Sequence, residues 1–202
     1  MGHTRTQKYN RREAGLMLVS AFTLSACMPK VEARPELTAP GGRINLGISS
    51  LDIINDYESP KAEPYIDYII MPPPALQLTQ WATKTLNPSD EKGNALLTIM
   101  KASMTEKDIE AEEGLKALFT NQQRLLINVE LEGVLSFNHR DGKRSATLTI
   151  VAASEKSIAD NTTPAEADEV RFKAIREAIG RFDQELRVQL SGFNGAWPLN
   201  EN

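Results

Sequence analysis

The chain has 202 residues, of which 41% are apolar and 25% charged, and a formal net charge of −4. That composition excludes wholesale disorder and collagen-like structure, and the excess of acid argues against nucleic acid as the main partner. One cysteine and two histidines exclude an internal disulfide and a cysteine zinc cluster.

The N-terminus does not read as fold. Arg5, Lys8, Arg11 and Arg12 form a basic region, and residues 14–26 then carry no charge. As a helix this stretch is about 20 Å long, too short to span a hydrocarbon core of about 30 Å and the right length for the apolar part of a signal peptide. It ends in Leu24-Ser25-Ala26-Cys27. This tetrapeptide resembles a bacterial lipobox, in which a signal peptidase cuts before a cysteine that carries covalently bound acyl chains. The resemblance implies that residues 1–26 are a signal peptide, that Leu24, Ser25 and Ala26 are the peptidase motif, and that Cys27 is lipidated and anchors the chain to a membrane. At about 0.8 kcal/mol per buried CH₂, two or three acyl chains hold where one does not. Met28 follows Cys27 in place of an aspartate. By resemblance to lipoprotein sorting in Gram-negative bacteria, that implies the outer membrane with the domain facing the periplasm, the inner membrane being the alternative. Cleavage removes four basic residues and Glu13, leaving 19 basic and 26 acidic side chains and a net charge of −7. A domain so charged is not drawn to anionic head groups.

Residues 27–42 hold Pro29, Pro35, Pro40, Gly41 and Gly42 and read as the lipidated N-terminus and a flexible tether reaching about 20–25 Å. Residues 43–202 read as one periplasmic α+β domain. Ile44, Leu46 and Ile48 alternate with polar residues, so 43–48 is expected as a half-buried strand. Residues 51–57 extend it or form a loop, and 65–71, rich in isoleucine and tyrosine, are expected as a second strand or an extended edge segment. Pro72-Pro73-Pro74 blocks helix before Pro74, which itself suits a first helical turn. Leu78, Trp81, Ala82 and Leu86 then mark a helix over 74–86, with Trp81 a core residue rather than a ligand platform and Asn87-Pro88 as its stop. Residues 94–105 are expected as a buried strand. The acidic run Glu106, Asp108, Glu110, Glu112 and Glu113 reads as a solvated face, because it lacks the ligand pattern of a calcium loop.

The clearest β signal follows. Leu125, Ile127, Val129, Leu131, Leu135 and Phe137 share one face, with Gly133 on that side as a bulge or a close contact. Asp141-Gly142 favours a turn, and Ala146, Leu148, Ile150 and Ala152 return on the same face, so an antiparallel hairpin is expected. Thr163, Pro164 and Glu166 form a helix start with a capping box. Phe172, Ile175, Ile179, Phe182, Leu186 and Leu190 follow the 3.6-residue period over about 27 residues up to Gly192. Together these elements predict an α+β fold: an antiparallel sheet covered on one face by two helices, the C-terminal helix long. Phe193, Trp197 and Leu199 lie beyond that helix. Sealing the end of the core is their plainer role, and an interface is the candidate functional one.

Chemistry is thin. His139 is the one histidine left after cleavage. It sits at the hairpin tip, where exposure is expected and no base–orienter pair is foreseen. Cys27 is committed to lipid, and Gly41-Gly42 precedes a strand rather than a helix, the wrong setting for a phosphate cradle. No catalytic residue, no metal-ligand set and no cofactor besides the covalent lipid is expected, and the chain is not expected to be an enzyme. The lipobox at 24–27, the helix over 72–86 with Trp81, the hairpin over 125–153 and the helix over 163–190 together resemble the auxiliary lipoproteins of ABC-type transport systems of the Gram-negative envelope. The resemblance implies a non-enzymatic adaptor or auxiliary component of a transport or assembly complex, with a protein partner in the envelope. The long proline-rich entry and the tryptophan-bearing tail depart from it. A regulator of a peptidoglycan synthase is an alternative that wants a longer tether. A carrier of a hydrophobic ligand is another, and it needs an unfilled cavity.

Overall fold

The computed structural model describes residues 41–109 and 123–193. Its centre is a four-stranded sheet built on the predicted hairpin. Strand β5 (Gln123–His139) and strand β6 (Ser145–Ala159) pair antiparallel with Leu135 opposite Leu148 and Leu131 opposite Ala152. Gly142 takes the left-handed conformation in the turn (φ +68°), as the Asp-Gly pair requires. On the other side of β5 lies β4 (Gly93–Asp108), also antiparallel, and beside β4 runs β2 (Ser50–Asn55), so the order is β2-β4-β5-β6.

Two features of this sheet correct the expectation. First, β2 is parallel to β4, so the sheet is mixed rather than wholly antiparallel. Second, β4 carries a bulge: Ile99 faces Gly133, Lys101 faces Glu132, and Met100 is extra. The phase of burial flips there. Ala95, Leu97 and Ile99 are buried before the bulge, Ala102 and Met104 after it, because one inserted residue exchanges the two faces of a strand. Gly133 is therefore the close contact and not the bulge. A β-carbon there would lie 2.8 Å from Phe182 Cζ and 3.3 Å from Leu97 Cδ1.

Strand β1 (Ile44–Leu46) is shorter than expected. It pairs parallel with β3 (Leu86–Pro88) in a separate two-stranded sheet. Ile44, Leu46 and Ile48 are all buried, but the chain kinks after Leu46, where the Ile48 N–H donates back to Leu46 O at 2.8 Å. Helix α1 (Pro74–Thr85) starts at the third proline and ends in Leu86, which is already extended (φ −86°, ψ 115°). Asn87-Pro88 is thus a strand and not only a stop. A residue before proline avoids the helical region, and here the freed backbone finds β1.

Residues 65–71 are not a strand. Tyr65 makes one isolated antiparallel bridge with Thr105, and residues 67–69 are turn. β propensity loses there because the edge of β4 is shared. β2 covers it up to Asn55, paired with Ile99, and beyond the bulge Pro64, Ile66 and Asp67 reach it, through Glu106 N–H to Pro64 O (2.9 Å), Ile66 N–H to Met104 O (2.8 Å) and Met104 N–H to Asp67 Oδ1 (3.4 Å).

Helix α2 (Pro164–Ser191) has the predicted capping box. Glu166 N–H donates to Thr163 Oγ1 and the Glu166 carboxylate accepts from Thr163 N–H. Phe172, Ile175, Ile179, Phe182, Leu186 and Leu190 are all buried. α2 packs on β5 and β6 and α1 on β4, on the face to which Gly133 points. Trp81 meets Phe182 edge-on, with ring centroids 5.4 Å apart, so each helix inserts one aromatic into the same core, a favoured ring geometry. Glu106 is not on a solvated face. Arg171 of α2 clamps it with two hydrogen bonds of 2.7 and 3.0 Å, tying the far end of β4 to the long helix. The remaining acids of that run from residue 110 onward lie outside the described residues.

Candidate interaction surface

Leu24, Ser25, Ala26 and Cys27, and likewise Trp197 and Leu199, lie outside the described residues. Phe193 is described. It is partly buried, packs against the core, and its N–H donates to Leu190 O at 3.0 Å.

His139 is placed differently from the expectation. Its side chain is only 11% exposed, and Nδ1 lies 2.9 Å from Asp141 Oδ1. An imidazole with a carboxylate orienting it is therefore present. Arg144 closes its other side, with a guanidinium nitrogen 2.6 Å from Nε2. The Asp141 backbone nitrogen lies 3.2 Å from Nδ1 as well, so both ring nitrogens are held by neighbours in the turn. The nitrogen that would take a nucleophile's proton is thus occupied. The Lys143 N–H, the His139 ring and Arg144 hold the Asp141 carboxyl below its ordinary value. A shallow cavity of about 530 Å³ opens beside this cluster, with Ser50, Asn94, Asn138 and Arg140 among its lining. Among the described residues no group of three or more metal-ligating side chains comes together.

The feature that stands out lies between β2 and α1. From Pro64 to Thr83 the only charged residue is Asp67, and Asp67 is buried. Its carboxylate accepts from Met104 N–H at 3.4 Å. Tyr57 packs behind it, and burial together with the Asp67 charge pushes the Tyr57 hydroxyl up to about 12. Ile70 is buried among the core residues. Gln77 Nε2 donates to Pro72 O at 2.7 Å, fastening the proline run to the first turns of α1. With its polar and inner residues fixed in this way, the segment presents its remaining apolar side chains outward: Tyr68 at 45% exposure, Ile69 at 61%, Met71 at 74% and Leu76 at 46%. Single exposed apolar residues are ordinary, but a cluster without charge on a fixed backbone marks a contact surface. Three consecutive prolines also lower the entropy lost when it is covered. The sequence holds the signal as a stretch of twenty residues with a single charge. The strand or extended edge segment expected over 65–71 hid it, because either would have turned half of those side chains inward.

No family model and no curated protein matches the chain. Among solved structures it is similar to a minor lipoprotein from Acinetobacter baumannii, with 15% identity over 74% of this chain and 95% of that one and a TM-score of 0.37. It is also similar to the rare lipoprotein B from Shewanella oneidensis, with 13% identity over 73% and 98% and a TM-score of 0.36. Likeness at these TM-scores carries no functional argument.

Proposed function

We propose that this chain is a lipid-anchored lipoprotein of the bacterial envelope, held in the outer membrane and facing the periplasm. It works there without catalysis, as an adaptor or auxiliary component of a transport or assembly complex. The anchor rests on the basic leader, the uncharged residues 14–26 and the Leu24–Cys27 box. The observation that carries the adaptor role is the exposed apolar surface of Tyr68, Ile69, Met71 and Leu76 on a rigid frame. Anchoring keeps that surface beside its partner, and the raised effective concentration makes a weak contact sufficient. A hydrophobic-ligand carrier is disfavoured, because Trp81, Phe137 and Phe182 fill the space between sheet and helices and are at most 1% exposed.

The test has two parts. Metabolic labelling with palmitate marks the wild-type chain and not Cys27→Ser, which stays uncleaved. Label on the variant, or none on the wild type, removes the anchor. In a strain lacking the gene, the Ile69→Asp, Met71→Asp double variant remains folded and membrane-bound but does not restore the envelope phenotype. Full restoration removes the adaptor role from this surface.

A further inference from the structure

Strand β6 is an edge of the four-stranded sheet: among the described residues β5 is its only strand neighbour. An open edge invites a further strand, and proteins blunt it with charge, proline or a cover. Residues 145–154 hold no charge, no proline and no glycine, which is the composition of a segment that pairs with copies of itself. The backbone groups of a strand point to alternate sides from one residue to the next. Met104 O and Glu106 N–H serve Ile66 and Pro64 on the far side of β4. Their partners on β5, Val129 and Ile127, therefore bond to Ser154 and Lys156 of β6. The even-numbered residues of β6 thus face β5, and Thr149, Val151 and Ala153 aim their backbone groups out of the sheet.

Two of these three carbonyls are taken by α2. Arg181 Nη1 donates to Ala153 O at 2.6 Å and Gln189 Nε2 to Thr149 O at 2.9 Å. Each donor is held by an acid one turn earlier, Arg181 by Glu177 at 2.7 Å and Gln189 by Glu185 at 2.9 Å. The spacings agree, because eight helical residues advance about 12 Å and four strand residues about 13–14 Å. Val151, midway on the strand and 62% exposed, is left open. We infer that Arg181 and Gln189 close the edge of β6 against strand addition by a second copy of this chain. A two-fold axis brings one patch onto itself, so β6 would meet β6 through the uncharged residues 145–154 with no like charges opposed. An incoming strand bonds to Thr149, Val151 and Ala153 in turn. With the outer two carbonyls occupied, the one residue between them does not hold it.

The experiment compares the full-length chain, purified in mild detergent, with its Arg181→Ala, Gln189→Ala double variant by sedimentation velocity. The double variant is expected to self-associate at a concentration about tenfold below the wild type's, with an unchanged circular dichroism spectrum. Adding Val151→Pro to it restores the wild-type behaviour, because proline on an edge strand removes only an outward N–H that the incoming strand would use. Arg176→Ala, which breaks an ion pair with Glu169 on the same helix, sediments like the wild type. A double variant no more associated than the wild type overturns the inference. So does association that survives Val151→Pro, or equal association of Arg176→Ala. A double variant that loses the wild-type spectrum overturns it too, since the two side chains then hold the fold together rather than cover an edge.

Discussion

Phe182 is the side chain on which the core converges. It touches Trp81 of α1 edge-on and lies over the bare α-carbon of Gly133 in β5. Gly133 is there for space, since an added β-carbon would sit 2.8 Å from the ring. Gly133→Ala is expected to destabilise the domain by about 1–3 kcal/mol through overpacking, and Phe182→Ala by about 3–5 kcal/mol through the cavity it leaves. Because the two positions share one volume, the costs do not add: Gly133→Ala should cost less in a Phe182→Leu background than alone. Denaturant titrations of the four proteins measure this, and strictly additive values would show that the ring does not fill the space above Gly133. Only the need for a glycine on the apolar side is visible in the sequence. Which ring occupies the gap depends on α2, about fifty residues later.

At the scale of elements, α2 is the one whose ends are written most plainly. Thr163 and Glu166 satisfy each other's backbone N–H groups, and Thr163→Ala is expected to cost about 1 kcal/mol. The Thr163 hydroxyl and N–H hold the Glu166 carboxyl below its ordinary value of 4.5. A carboxyl depressed in the folded state stabilises the fold above its unfolded value and loses that contribution as pH falls through its own lower one. Glu166→Gln should therefore lose less stability than the wild type as the pH drops below about 4.5. Parallel acid titrations of the two proteins would refute the cap's electrostatic part. Strand β4 shows the opposite case. Its sequence lacks clean alternation because the bulge at Met100 exchanges its faces midway, so a period-2 pattern is present only in two out-of-phase halves.

Across the whole domain, the aromatic junction of α1 and α2, the Glu106–Arg171 clamp and the shared sheet couple the described elements into one core. Unfolding is expected to be a single transition in which near-ultraviolet circular dichroism, to which buried Trp81 contributes, and far-ultraviolet circular dichroism coincide. Separate midpoints would divide the domain into independent units. Arg187 adds a tie at the domain's entry, reaching from Asp183 in α2 to Gly42 O. The last residue of the proposed tether is thereby fixed to the C-terminal half of the long helix.

What the sequence determined by itself is local. The capping box and the 3.6-residue stripe of α2, the proline start of α1 and the alternation of β5 and β6 around Asp141-Gly142 each rest on contacts within a few residues or on one unbroken period. The basic stretch, the uncharged run and the Leu24–Cys27 tetrapeptide on which the proposed anchor rests are equally local. The tertiary structure decided the rest. It paired β1 with β3 across some forty residues, set β2 parallel to β4, and turned residues 65–71 outward. Strands of three to six residues carry too few periods to specify a partner, and they take whatever edge the long hairpin leaves open. The apolar surface at Tyr68–Leu76 follows from that competition. Beyond the bulge the edge of β4 takes the single bridge at Tyr65 and the Asp67 carboxylate, and Tyr68, Ile69 and Met71 face out.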